Sequence, residues 1–149
     1  MITKNPVQFL SELYQGEHDF SSDTLVACLV DMSSFDPAVH GQYSDVSEYE
    51  LPSGSGYTQK DKTLTGVGVT ISGEEIEVTC VSFGWTATGG NIGPATGCAV
   101  INTSHVNETI VAYIDFEAAY MAFDGNPFNL DMSNGLLKAG PFSAEEGGE

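Results

Sequence analysis

Apolar residues in this chain fall mainly in short runs and at alternate positions, a spacing that belongs to strands more than to helices. The clearest alternation lies between residues 63 and 80. Val67, Val69 and Ile71 alternate with small or polar neighbours, and Ile76, Val78 and Cys80 alternate with Glu75, Glu77 and Thr79. The pattern predicts a β-hairpin that reverses at Ser72-Gly73, with one buried and one wet face. Residues 24–30 form a continuous apolar run of strand length, which fits a strand covered on both faces. Further strands are expected at 83–88, 97–101 and 109–116. Two weaker ones are expected near 128–132 and 136–139, around Ser133-Asn134-Gly135, where Asn-Gly suits a tight turn.

Helical spacing is clearest in residues 5–16. Phe9, Leu10 and Leu13 share a face, Asn5 is placed to cap the helix, Pro6 suits its first turn and Gly16 its end. From 31 to 62 periodicity is lost among Pro37, Gly41, Pro52, Gly54 and Gly56, so this segment reads as an irregular arm with one helical turn at 45–49. Loops of this length are unusual in compact domains and are often functional. Phe35, Val39, Tyr43, Tyr49, Leu51 and Tyr57 are its candidate interaction residues, because interface cores are enriched in Tyr and Phe. The competing expectation is that they fold back over their own subunit.

Seven or eight short strands, with turns roughly every ten residues, indicate one all-β domain over 1–149. The expected form is an antiparallel β-sandwich, jelly-roll-like, with the short helix, the arm and a frayed tail at 144–149.

Composition narrows the function. The chain has 21 acidic residues, four Lys and no Arg, for a net charge of −17. Phosphate recognition relies on Arg or Lys, so nucleic acid and anionic membranes are poor partners. An acidic domain of this size also suits a DNA mimic that occupies a DNA-binding enzyme. However, no long acidic helix aligns the carboxylates, and a solvated acidic exterior is the simpler account. No apolar run approaches membrane-spanning length, and no basic-then-apolar leader precedes Pro6.

Candidate chemistry is sparse. There is no P-loop, HExxH, GxSxG or GxGxxG opening a helix. No cofactor and no catalytic residue is expected. His18, His40 and His105 lie in three separate polar segments and are expected on the surface; Glu17-His18-Asp19 is a local seed for a metal. Residues 124–134 are rich in oxygen ligands but do not match an EF-hand loop. Phe83 and Trp85 suit a core aromatic pair better than a sugar platform. Cys28, Cys80 and Cys98 sit in apolar runs without CxxC spacing and are expected as buried free thiols.

The order of segments resembles the small virion structural proteins of tailed bacteriophages. The matching stretches are Gly16-Glu17-His18-Asp19-Phe20, the apolar strand at 24–30, Gly56-Tyr57-Thr58 and Leu64-Thr65-Gly66. They continue with the Trp85 strand, Ala99-Val100-Ile101-Asn102 and Ala112-Tyr113-Ile114-Asp115-Phe116. The chain departs from that pattern at Gln59-Lys60-Asp61 and Glu117-Ala118-Ala119, where the family is glycine-rich. The resemblance implies a non-enzymatic capsid decoration or cement protein, or a tail or fibre-base component. It implies a place on the capsid exterior, the major capsid protein as partner and a homo-oligomeric state.

Overall fold

The computed structural model describes residues 1–141, so the tail at 144–149 lies outside the described residues. In chain order the elements are β1 (Ile2–Lys4), α1 (Val7–Tyr14), β2 (Leu25–Val30), α2 (Tyr43–Val46), β3 (Lys62–Thr63), β4 (Gly68–Ser72) and β5 (Glu75–Thr79). They continue with β6 (Phe83–Thr86), β7 (Ile92–Asn102), β8 (Ile110–Ala122), β9 (Pro127–Leu130) and β10 (Leu137–Ala139). The fold is mostly β, and every strand pair is antiparallel.

A five-stranded sheet in the order β1-β8-β7-β2-β3 forms the centre. All six residues of β2 are buried, as its unbroken apolar run requires. Odd and even positions of β2 serve different cores. Leu25, Ala27 and Leu29 join Cys98, Val100, Ala112 and Ile114 on one face. Val26, Cys28 and Val30 join Ala99, Ile101, Ile110 and Tyr113 on the other.

The first face is covered by regular elements. Phe9 of α1, Val78 of β5, Trp85 of β6 and Phe128 and Leu130 of β9 all pack there. Apart from Phe9, two small sheets carry them: β10-β5-β4 and β6-β9. Trp85 sits opposite Phe128 in the β6–β9 register, with further ring contacts to Phe83 and Tyr57.

The second face is covered by the arm. Phe35, Tyr43 and Tyr49 pack on the second core, with Val46 buried inside it. The arm also closes the free edge of β2. Asp31 N–H donates to Tyr49 O, Leu51 N–H donates to Leu29 O, and Leu29 N–H donates to the Tyr57 hydroxyl at 2.8 Å. Tyr57 is buried and Leu51 partly so, whereas Val39 is 61% exposed. Of the six candidate interaction residues, five therefore pack against their own subunit. This packing accounts for an aromatic density that the sequence could also assign to an interface.

Several expectations need correction. The hairpin reverses at Gly73-Glu74, one residue later than expected, with Gly73 at φ +63°. That register sets Val69 opposite Val78 and Ile71 opposite Ile76, so apolar faces apolar. Yet only the Val78 end of that face enters the core, while Val69, Ile71 and Ile76 are 55, 78 and 48% exposed. Asn134-Gly135 does not join a hairpin, because β9 pairs with β6 and β10 with β5. Asn5 does not cap α1; its amide donates to Val111 O and Leu136 O.

Candidate functional site

A buried polar cluster forms where α1 meets the β7–β8 turn. Glu12 lies on the buried stripe of α1, in the same helix face as Phe9. The helix ends at Gly16 (φ +77°), where Glu17 N–H bonds back to Glu12 O at 3.0 Å. This reversal brings His18 back over the helix, so that its Nε2 lies 2.9 Å from Glu12 Oε1. From the opposite side, the β7–β8 turn contributes His105, Asn107 and Thr109. Thr109 Oγ1 donates to Glu12 Oε1 at 2.6 Å, and Asn107 Nδ2 donates to Glu12 Oε2 at 3.3 Å. Gln8 adds a donor at 3.0 Å.

His18 and His105 are thus neither separate nor fully exposed. Glu12 is 7% and His18 9% exposed. The two rings stack with centroids 5.0 Å apart, and Phe9 meets His18 edge-on. Burial acts to raise the Glu12 carboxyl, but the hydrogen bonds from Thr109, Gln8, His18 and Asn107 outweigh it and hold the group below its ordinary value.

Glu12, His18 and His105 place one ligand atom each within 4.8 Å of the others, which raises the question of a metal. The donor set argues against one. A ring that binds metal through Nε2 carries its proton on Nδ1 and donates it to an acceptor. Here both Nδ1 atoms face donors: the Asn102 amide nitrogen at 2.8 Å and Asn107 N–H at 3.1 Å. Asn102 is fixed in that orientation, since Nδ2 also reaches Asp23 at 2.7 Å and Oδ1 accepts from Ser104 N–H at 2.9 Å. Both rings are therefore set as the Nε2–H tautomer, His18 donating to Glu12 and His105 to Glu17 at 2.9 Å. The cluster is built to hold a carboxylate. Zinc in tenfold excess, or EDTA, is expected to leave the melting temperature unchanged; a rise that grows with zinc concentration would show a metal site.

A second buried carboxylate belongs to the arm itself. Glu50 accepts from the Tyr43 and Tyr57 hydroxyls, both at 2.5 Å, and from Lys60 N–H at 2.8 Å. Burial and the bond to Glu50 push both phenols up. The Lys60 ammonium lies 4.4 Å from the Tyr43 ring centroid and pairs with Glu108. This group ties the arm to the sheet and has no free nucleophile or base.

The other candidates are likewise engaged. His40 stands apart, beside Phe35 in the arm. In the oxygen-rich segment, Asp124 accepts from Gly89 N–H of a neighbouring loop and Asp131 from Ser133 N–H of its own turn, so both carboxylates are already engaged. Trp85 is a core residue. An open groove of about 370 Å³ runs beside Phe116, Tyr120, Met121 and Phe128. Among the described residues no side-chain nitrogen or oxygen is buried without a hydrogen-bond partner.

Cys28 and Cys98 are fully buried and point to opposite faces of the central sheet; Cys80 is half-buried. Burial pushes the Cys80 thiol up to about 11 and raises the other two further. Labelling of the native protein with a maleimide at pH 7 is therefore expected to be slow, with Cys80 first; rapid labelling of all three thiols would contradict this burial.

Sequence reasoning singled out His18 but not Glu12 or His105. The available signal was Glu12 itself, an acid on the apolar stripe of a short helix. No family model matches the chain, and no curated protein or solved structure matches it.

Proposed function

We propose that the protein is a non-enzymatic virion structural component of a tailed bacteriophage, acting as a capsid decoration or cement protein on the outside of the head. One observation carries the reading beyond the sequence resemblance. The buried titratable groups Glu12, His18 and Glu50 are engaged in internal hydrogen bonds, while branched and aromatic side chains stand exposed on an acidic body. Val69, Ile71, Ile76, Tyr120 and Phe123 are among them. Such a surface suits attachment better than turnover. The acidic exterior fits a place away from the packaged genome.

In this reading the partner is the major capsid protein, and the protein docks as a symmetric homo-oligomer. A jelly-roll-like sandwich is the matching architecture, with the five-stranded sheet as one leaf and the two smaller sheets as a divided second leaf. The test is co-sedimentation with purified empty heads and, separately, with isolated tails. Saturable binding to heads supports the decoration role. Binding to tails alone moves the protein to the tail, and binding to neither overturns the reading.

A further inference from the structure

The hairpin of β4 and β5 carries the apolar face of the core out beyond the core. Strand β4 is the edge of its sheet. On its outer side Gly68–Ser72 has no hydrogen-bond partner among the described residues. Edge strands of monomeric proteins are usually protected by Lys, Pro, a bulge or a cover. This one reads Gly-Val-Thr-Ile-Ser: uncharged, regular in register and topped by two exposed branched residues.

We propose that β4 is a self-association edge, pairing antiparallel with β4 of a second copy about a two-fold axis through Thr70. The backbone orientation supports this pairing. The two-residue loop makes Ser72 and Glu75 a hydrogen-bonded pair, so Gly68 and Thr70 turn their backbone groups toward β5. Val69 and Ile71 turn theirs outward. An axis through Thr70 then pairs Val69 with Ile71 of the partner subunit, and each exchanges N–H and C=O with the other. Thr70 faces its own copy across the axis, a favourable cross-strand pair. On the apolar face Val69, Ile71 and Ile76 of both copies form one continuous strip.

Charge opposes the pairing only at long range, even in a chain of −17. No charged residue lies on β4, and the nearest acids on the sheet are Glu75 and Glu77 of β5. In the dimer the two β5 strands stand three strand spacings apart, about 14 Å. That exceeds the Debye length of about 8 Å at physiological salt. The residual repulsion is long-range, so added salt strengthens the dimer. The same uncharged strip gives a foreign strand no basic or acidic register to read, which favours a second copy as the occupant.

The test uses the free full-length protein and needs no capsid, so it stands or falls separately from the virion reading. Sedimentation equilibrium of the wild type should approach twice the 15.8 kDa chain mass, more completely at 500 mM than at 50 mM NaCl. Ile71→Lys places a charge on the edge, and Val69→Pro removes an outward N–H while sparing the β4–β5 ladder. Each should weaken dimerisation at least tenfold without changing the circular dichroism spectrum. Val106→Lys, in the exposed β7–β8 turn, should stay dimeric. Thr70→Cys should give a covalent dimer on oxidation, because a non-hydrogen-bonded pair sets the Cα atoms about 4.5 Å apart; Ser72→Cys should not. A wild type that remains at 15.8 kDa at both salt concentrations, or a dimer that Ile71→Lys and Val69→Pro leave intact, overturns the proposal.

Discussion

Replacing Glu12 with alanine is expected to destabilise the protein by about 3 kcal/mol, because it leaves buried donors facing nothing. Thr109 Oγ1 and His18 Nε2 both donate to Glu12 Oε1 and are shut off from water. Each stranded donor costs about 1–3 kcal/mol. Gln8 and Asn107 lie nearer the surface and can turn to solvent, so they add less. Glu12→Gln keeps one acceptor oxygen but turns an amide toward the remaining donors, and is expected to cost about half as much. The pH dependence follows from the lowered folded-state value of Glu12. A carboxyl depressed on folding contributes stability that is fully present above its unfolded pKa, about 4.3. That contribution is lost as pH falls through the folded value. The gap between wild type and Glu12→Gln should therefore shrink as pH falls below about 4. Urea titrations at several pH values measure it. A gap that stays constant to pH 3 would show that the Glu12 charge contributes nothing.

The second large effect is expected at Phe128. Its ring packs on Trp85 and Phe116, with centroids 6.3 and 6.0 Å away. Phe128→Ala removes a buried aromatic side chain and opens a cavity, at a cost of about 3–5 kcal/mol. Against a total stability of roughly 5–15 kcal/mol, that is a large fraction. The loss also falls on a weak element. A two-stranded pair is marginal alone, so β6–β9 holds its place through Trp85, Phe128 and Leu130. Trp85 is the chain's sole tryptophan, so its emission reports on this point directly. The variant should show a red-shifted emission and a lower urea midpoint, whereas Phe123→Ala, at an exposed site, should stay within about 0.5 kcal/mol of wild type.

The elements most legible in the sequence were those whose pattern is local. The run at residues 24–30 is a strand covered on both faces because every position is apolar, and burial follows composition directly. The helix at 7–14 and the hairpin at 68–79 were equally readable. Alternation, however, says only which residues share a side of a strand. It does not say what lies against that side, which is why Ile71 and Ile76 were expected inside and stand outside. The edge strand β1 was not foreseen: three residues pair with β8 at a separation that no local pattern encodes. The arm reads as irregular in the sequence, but its role as a cover depends on Glu50 meeting Tyr43 and Tyr57, a closure made by hydrogen bonds without periodicity. The Glu12 cluster was least legible. His18 and His105 meet only because the chain turns back at Gly16 and the β7–β8 turn closes over α1.

The order of strands in the central sheet carries a kinetic consequence. Its inner members β7 and β8 form a local hairpin, but β2 must find β7 across roughly seventy residues of chain, and β1 must find β8 across more than a hundred. Strands β1 and β2 are therefore synthesised before β8 and β7, their main partners in this sheet, exist. Until then the wholly apolar Leu25–Val30 has no strand to pair with apart from the two residues of β3. Folding of this sheet has to wait until β8 has been synthesised. It should then be slow for a domain of this size, in the millisecond-to-second range that non-local β topologies occupy. During that interval the nascent chain is most open to aggregation, against which its heavy negative charge acts.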